Sequence, residues 1–186
     1  MLELIVVGRG GQGAQTAGTM LARTFFELGD HVQSFASYGG ARRGTPVFSF
    51  IRVDDRPIRL RCNIERPRAL LCFDASLLNP QLLAMTTPET LLVVNSDLPR
   101  SAFAELGEAR MLPVDGIGIA RRNGMGRIVN STLLGAVAAA LQAPAIDALE
   151  KVIHASAPIK QEANVRACRE GYDTVRGVLD NTESAA

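Results

Sequence analysis

Cysteine is scarce in this sequence, and its placement excludes several kinds of site. The three cysteines, Cys62, Cys72 and Cys168, are odd in number and widely separated. None forms the closely spaced pairs that zinc sites, redox-active disulfides and iron–sulfur clusters use. We therefore expect reduced, mostly buried thiols and predict no metal site in this chain.

An excess of charge of one sign and long apolar runs are also lacking. Twenty basic residues nearly balance nineteen acidic ones, which leaves a net charge of +1. The composition thus has no basic excess of the kind that nucleic-acid or anionic-membrane binding uses. We expect neither a signal peptide nor a membrane span, because the sequence has no basic segment followed by a long apolar stretch. The sequence predicts a cytoplasmic protein without a nucleic-acid partner or a membrane span.

Short apolar runs alternate with helical patterns along the 186 residues. The run LELIVV (2–7) has the composition of a buried parallel strand, and apolar spacings of three and four from Gly13 to Leu28 predict a helix. Further strands are predicted at 31–37, 69–74, 90–97 and 109–116, and helices at 131–142, 145–155 and 161–179. This alternation predicts a three-layer, doubly wound α/β fold with a mainly parallel sheet, in one domain (1–180) with a polar tail (181–186).

The middle of the chain has a different pattern. VFSFIRV (47–53) and IRLRC (58–62) are two extended runs, and the turn-rich tetrapeptide DDRP separates them. Such a pair predicts a β-hairpin inserted into the fold.

A glycine loop follows the first predicted strand. Gly8, Gly10 and Gly13 have the spacing GxGxxG, with Gly11 and Gln12 between them. Glycine permits a tight turn, an anion's approach to the backbone and close helix–strand packing, while the helix N-terminus attracts negative charge. The loop therefore predicts a Rossmann-like anion site; the alternative is a purely structural crossover.

The companions of two well-known nucleotide sites are missing. An NAD site places an acidic residue at the end of the second strand, where it binds the ribose. Here that strand ends in Phe35-Ala36-Ser37, and Asp30 precedes it. A P-loop is excluded because no GK[ST] follows the glycines.

A second candidate cluster, SYGGARRGTP (37–46), lies directly after the second predicted strand. Arg42 and Arg43 could bind a phosphate through paired hydrogen bonds, and Tyr38 could stack on a ring. In a doubly wound sheet this loop would lie beside the glycine loop. The alternatives are an exposed basic turn and a contact between subunits.

No catalytic residue is predicted. His31 and His154 have no evident serine or cysteine partner in the sequence. Asp74 and Asp97 end predicted strands, where capping and turn formation are the commoner roles. The chain therefore has features that could hold a ligand but no complete catalytic apparatus.

Four segments together closely resemble the gamma subunit, or gamma domain, of 2-oxoacid:ferredoxin oxidoreductases. The resemblance extends from about Leu4 to Arg176, and the glycine loop combined with YGGARRGTPV is specific to that family. The segments are GRGGQGAQTAGTMLARTFFELG, SYGGARRGTPVFSFIRVDDRPIRLR, NSTLLGAVAAAL and QEANVRACREGYDTV.

The resemblance implies a subunit of a larger enzyme that oxidatively decarboxylates a 2-oxoacid to an acyl-coenzyme A. It assigns thiamine diphosphate and [4Fe-4S] clusters to partner subunits of alpha, beta and ferredoxin-like delta type. Electrons would pass to ferredoxin or, through an NAD-reducing subunit, to NAD. It implies that this chain helps to form the coenzyme A side of the site.

The residues expected to contact coenzyme A come from the two loops: Gly8, Gly10, Gly11, Gln12, Gly13, Tyr38, Arg42 and Arg43. Two other hypotheses remain open, a stand-alone NAD(P)-dependent oxidoreductase and a non-catalytic nucleotide-binding module. Which 2-oxoacid is the substrate stays undecided at this stage.

Overall fold

The computed structural model describes residues 1–39 and 45–183 and builds one six-stranded sheet. Its strand order is β2-β3-β1-β4-β5-β6. The neighbouring strands β1, β4, β5 and β6 are parallel to one another. β3 runs antiparallel to both of its neighbours, β1 and β2. The strands are β1 (Leu2–Arg9), β2 (His31–Tyr38), β3 (Pro46–Asp54), β4 (Ala69–Cys72), β5 (Leu91–Asn95) and β6 (Arg110–Val114). The prediction of a mainly parallel α/β sheet is confirmed.

The central strands are buried on both faces, which explains their continuous apolar sequence. In β1, Leu4 and Val6 contribute to the core on one face of the sheet, and Ile5 and Val7 contribute to the other. All four are about 1% exposed. A parallel strand covered on both sides has no polar face, so its sequence does not alternate.

The helices divide unequally between the two faces. The long helices pack on one face, and short helical turns cover the other with neighbouring loop residues. The helices are α1 (Ala14–Glu27), α2 (Pro80–Leu83), α3 (Gly116–Arg122), α4 (Asn130–Leu141), α5 (Ile146–Ser156) and α6 (Gln161–Glu183), with 3₁₀ turns at Ala75–Leu77 and Arg100–Phe103. The predicted three layers are present, but the second helical layer is thin.

The sequence predicted the wrong partner strand for the hairpin. β3 does form a hairpin, but it pairs with β2 before it, and residues 58–62 carry no strand. The alternation of Ile58, Leu60 and Cys62 suggested a strand. The carbonyl oxygens of Leu60 and Cys62 instead accept side-chain hydrogen bonds, from Gln33 at 2.7 Å and Arg52 at 2.9 Å.

Two further expectations concern the cysteines and the last helix. Cys72 and Cys168 are buried and Cys62 is exposed, which agrees with the prediction of mostly buried thiols. The helix expected to end near Leu179 continues to Glu183, so part of the predicted polar tail is helical. Within the described residues, no helix has the length and apolar character that a membrane span requires. No three metal-ligating side chains cluster in that same part of the chain.

Candidate functional site

The glycine loop connects β1 to α1 at the carboxyl-terminal edge of the parallel strands. The backbone N–H of Gln12 donates to the carbonyl oxygen of Arg9 at 3.0 Å, which closes a tight turn. Gly11 and Gly13 have φ values of +93° and +88°, a region that glycine adopts without strain. The loop has the turn geometry that the sequence predicted.

The glycines have different roles, which the space around each of them reveals. A β-carbon on Gly8 would lie 3.0 Å from Cβ of Ala14 and 3.1 Å from Cβ of Phe73, so Gly8 permits close helix–strand packing. Gly10 donates its N–H to the carbonyl oxygen of Thr45 at 3.1 Å. A β-carbon on Gly11 would meet no atom within 4 Å. Gly11 is therefore the glycine with an open side, and Gly8 has the packing role.

Gln12 supports the loop from within. Its side-chain Oε1 accepts a hydrogen bond from the backbone N–H of Arg9 at 2.6 Å, and its Nε2 donates to Asp74 at 3.3 Å. Both polar atoms of the side chain are thus engaged inside the protein. Gln12 lines the cleft described below, where these bonds hold the loop in shape.

Asp74, which follows β4, connects the glycine loop to the end of that strand. Its carboxylate accepts hydrogen bonds from Nε of Arg9 at 2.9 Å and from the Ser76 hydroxyl at 2.6 Å. Burial alone would raise the pKa of Asp74, but hydrogen bonds from Ser76, Arg9 and Gln12 outweigh it and lower the pKa. Asp74 also caps the following 3₁₀ turn, as its position after a strand suggested.

The end of β2 and Thr45 lie beside the start of α1 and the glycine loop. The Tyr38 hydroxyl donates to Oε1 of Gln15 in the first turn of α1 at 2.6 Å, and Thr45 contacts Gly10. Tyr38 is 58% exposed, so its ring remains accessible. The candidate residues Arg42 and Arg43 lie outside the described residues.

A cleft of about 420 Å³ opens beside the glycine loop. Its walls come from the glycine loop, the ends of β4 and β5, the start of α3 and the segment that precedes α4. The lining residues are Gly11, Gln12, Gly13, Phe73, Asn95, Ile117, Arg127, Ile128, Val129 and Asn130. The carboxyl ends of neighbouring parallel strands therefore meet here, where open α/β sheets bind their ligands.

Two asparagines tie the walls of this cleft together. Asn95 donates to the carbonyl oxygen of Phe73 at 3.1 Å and accepts the N–H of Gly116 at 3.1 Å. Asn130 donates from Nδ2 to the carbonyl oxygen of Gly13 at 3.2 Å. Asn130 is the first residue of α4, and its side chain joins the starts of α1 and α4.

The charge around the cleft is positive. No side chain caps α1, and within the described residues the N–H groups of Ala14, Gln15 and Thr16 donate to no acceptor. Arg127 is exposed at the rim and makes no hydrogen bond or ion pair with any described residue. The lining residues include no carboxylate. A cation combined with free helix N–H groups favours a bound anion.

The sheet order argues against a dinucleotide site of the usual kind. That site needs an acidic residue at the carboxyl end of the strand that follows the first helix, and that strand lies directly beside β1. Here β3 occupies that position, runs antiparallel and begins at Pro46 opposite Arg9. The end of β2, where the sequence lacks an acidic residue, lies one strand further away.

The described residues offer no nucleophile at the cleft. His154 pairs with Glu162 at 3.2 Å on the exposed surface of the helical layer. Burial raises the pKa of the Cys72 thiol to about 12 and raises that of Cys168 still further. Such thiols stay protonated and are poor nucleophiles. The geometry suits ligand binding.

The fold and cleft together define an α/β protein with a glycine loop beside a cleft that carries positive charge. The chain belongs to the pyruvate ferredoxin/flavodoxin oxidoreductase family, whose model matches residues 3–174. It is 35% identical to the pyruvate synthase subunit PorC of Methanothermobacter thermautotrophicus over 97% of this chain and 99% of that one. It is also 35% identical to the gamma subunit common to the pyruvate and ketoisovalerate oxidoreductases of Pyrococcus furiosus, over 93% and 96% of the two chains.

Solved structures agree with this assignment. The PORC subunit of Thermotoga maritima pyruvate oxidoreductase superposes with a TM-score of 0.81 at 31% identity and covers 92% of this chain and 95% of its own. The fold also recurs in 31% of a longer chain, the 2-oxoglutarate:ferredoxin oxidoreductase of Magnetococcus marinus, with a TM-score of 0.77 at 19% identity. The chain is a gamma-type subunit of a 2-oxoacid:ferredoxin oxidoreductase complex, as its sequence predicted.

Proposed function

We propose that the cleft beside the glycine loop binds part of coenzyme A, so that this chain forms the coenzyme A side of a 2-oxoacid oxidoreductase site. The observation that carries the proposal is the position of Arg127 in a cleft without carboxylates, together with the free N–H groups of α1, which begins directly after the cleft residue Gly13. Coenzyme A carries phosphates, which are the anions such groups bind best.

The apolar residues of the cleft suit the rest of the molecule. Phe73, Ile117, Ile128 and Val129 line it together with the polar groups. An apolar wall with a few placed polar groups is typical of small-molecule sites. A cleft of about 420 Å³ is smaller than the whole cofactor, so it would hold one portion while partner subunits contact the remainder. The Magnetococcus enzyme that shares this fold contains bound coenzyme A and succinyl-CoA.

The candidate residues divide by role in this proposal. Gly11 leaves room for a phosphate, and Gly8, Gly10, Gln12 and Gly13 hold the loop in shape. Tyr38 offers an exposed ring beside the same loop. Arg42 and Arg43, which the sequence assigns to the same ligand, extend the proposal to the 37–46 segment.

The remaining chemistry is assigned to partners. Thiamine diphosphate, bound by the alpha and beta subunits, would decarboxylate the 2-oxoacid. Electrons would leave through [4Fe-4S] clusters of the delta-type subunit to ferredoxin or NAD. The acyl group would pass to the thiol of coenzyme A, which this cytoplasmic complex releases as acyl-coenzyme A. The relatives are named as subunits of a pyruvate synthase and of the pyruvate and ketoisovalerate oxidoreductases, and the partners would select the substrate here.

Ligand competition tests the coenzyme A proposal. The assembled complex is titrated with coenzyme A, with pantetheine, which lacks the phosphates, and with NAD. We expect coenzyme A to bind, pantetheine to compete weakly and NAD to leave the coenzyme A affinity unchanged. Tight competition by NAD would instead support the dinucleotide-binding hypothesis. If pantetheine bound as tightly as coenzyme A, the phosphates would not contribute to binding.

Affinity purification tests the assignment of partners. A tagged copy of this chain is recovered from its native cell extract, and the eluate is assayed for larger subunits, iron, sulfide and thiamine diphosphate. We expect all four to be recovered. Recovery of the lone chain without them would favour a stand-alone nucleotide-binding module.

A further inference from the structure

The segment between β3 and β4 is an unusually long connection. Residues 55–68, the arginine loop, contain neither helix nor strand. Connections beyond about 12–15 residues without secondary structure are uncommon in compact domains and are usually functional. The arginine loop lies at the amino-terminal edge of β1 and β4, since Leu2 pairs with Val53 and Leu4 with Ala69.

Its charge is strongly positive in a chain that is nearly neutral overall. The loop carries five arginines and two carboxylates, and all seven are exposed: Arg56, Arg59, Arg61, Arg66, Arg68, Asp55 and Glu65. Within the described part of the chain, Arg59, Arg61 and Arg66 make no hydrogen bond or ion pair. Three cations at one edge thus lack a carboxylate partner among the described residues.

The loop is held in a defined shape. Gln33 and the buried Arg52 bind the carbonyl oxygens of Leu60 and Cys62. Arg52 is 1% exposed and is itself fixed by Glu3 at 2.7 Å. Ile64 is 1% exposed and anchors the centre of the loop in the core. A surface that is fixed before binding loses less conformational entropy when a partner docks.

An exposed aliphatic side chain lies among the cations. Leu60 is 44% exposed and stands between Arg59 and Arg61 in the sequence. Arginine combined with apolar area is typical of protein–protein interfaces, where arginine is enriched. The apolar area that Leu60 adds beside these arginines therefore favours a protein partner.

We propose that the arginine loop docks onto a carboxylate-rich surface of another subunit of the complex. Guanidinium groups bind carboxylates with two parallel hydrogen bonds, which gives such a contact both strength and orientation. β1 separates this surface from the glycine loop, and eight strand residues span roughly 25 Å. The docking surface and the coenzyme A cleft are therefore distinct.

Charge reversal in the full complex tests this proposal. A tagged chain with Arg59→Glu and Arg61→Glu is co-expressed with the other subunits, and the affinity of each subunit for it is measured at low and high salt. We expect one partner subunit to bind at least tenfold more weakly, and the salt dependence of that association to diminish. The matched control, Arg121→Glu with Arg166→Glu, changes the same charge on α3 and α6 and should assemble normally.

The other results each contradict the proposal. If the loop variant assembles normally, the arginine loop has no docking role. If the control variant loses as much affinity for the partner subunit, the effect is a general one of charge and not of the arginine loop. Weaker binding to heparin with normal assembly would identify a nucleic-acid or other polyanion surface instead. If the glutamate variant does not fold, the pair Arg59→Gln and Arg61→Gln tests the same contact, with a smaller expected loss of affinity for the partner subunit.

Discussion

At the scale of single residues, two glycines share a backbone conformation but differ in their surroundings. Gly13 has φ +88° and Gly29 has φ +99°. A β-carbon at Gly29 would meet no atom within 4 Å, whereas one at Gly13 would overlap the side-chain amide of Asn130. Gly13 is therefore required by both its conformation and its neighbour.

This difference makes the two positions a matched pair. Gly29→Ala should lower the free energy of unfolding by about 1–2 kcal/mol, the cost of a left-handed alanine. Gly13→Ala should lower it by roughly 1–3 kcal/mol more, because the amide of Asn130 must move. Chemical denaturation of both variants measures the difference. Equal losses would show that Asn130 does not restrict the glycine loop.

Asp74 makes the glycine loop sensitive to acid. Because its pKa is lower in the folded protein, its stabilising contribution is complete at neutral pH and is lost as the pH falls through the folded pKa. Asp74→Asn should lower the free energy of unfolding at pH 7 by about 1–2 kcal/mol. The variant should also lose less stability than the parent between neutral and strongly acidic pH.

Unfolding experiments across that pH range measure both effects, with Asp97→Asn as the control at an exposed position. The proposed support of the loop by Asp74 would be wrong if the two asparagine variants had the same acid dependence.

Sequence reasoning located the glycine loop beside the cleft but not the other groups that line the cleft. The spacing of Gly8, Gly10 and Gly13 is local, so it is visible in the sequence. Asn130 lies 117 positions from the carbonyl oxygen that it binds, and only the packing of α4 beside α1 brings them together. Arg127 has no motif around it. Its proposed role depends on the cleft, which the sequence does not reveal.

At the scale of elements, α4 and α6 pack with backbone against backbone. A β-carbon on Gly135 would overlap the carbonyl oxygen of Cys168, and one on Gly171 would overlap that of Thr132. No rotamer change can relieve a clash with a carbonyl group of the main chain. The glycines of these two helices thus set how closely the helices approach.

Alanine at this contact should separate the two helices. Gly135→Ala should lower the free energy of unfolding by about 2 kcal/mol or more, since the overlap lies in a closely packed core. Gly177→Ala, on an open face of α6 with no atom within 4 Å, should raise it by roughly 0.5–1 kcal/mol through helix propensity. Thermal unfolding distinguishes them by sign. A neutral Gly135→Ala would contradict the packing argument.

The predicted elements were mostly correct, but their pairing was not fully predictable. Strands and helices are signalled by local periodicity, so β1, α1, β4, β5 and β6 could be located from the sequence. Which strands become neighbours depends on contacts between distant segments. The antiparallel insertion of β3 between β1 and β2 left no local signal, and the alternation at 58–62 suggested a strand that is absent.

At the scale of the whole molecule, positive charge lies at both ends of the parallel strands. Their carboxyl ends help to form the cleft, which contains Arg127 and lies beside the start of α1. The amino-terminal edge carries the arginine loop. A nearly neutral net charge conceals this distribution, because carboxylates elsewhere balance both positive regions. Such an arrangement suits a subunit that contacts a ligand at one edge and a partner at the other.

The central claim is that this subunit holds coenzyme A through the cleft, and Arg127→Ala in the assembled complex tests it most directly. The measurement is the KM for coenzyme A and for the 2-oxoacid, with Arg166→Ala as the control. We predict that Arg127→Ala raises the KM for coenzyme A by roughly ten- to a hundredfold, the loss of a charge-assisted hydrogen bond or two, and leaves the KM for the 2-oxoacid unchanged. An unchanged KM for coenzyme A in a fully assembled complex would contradict the account.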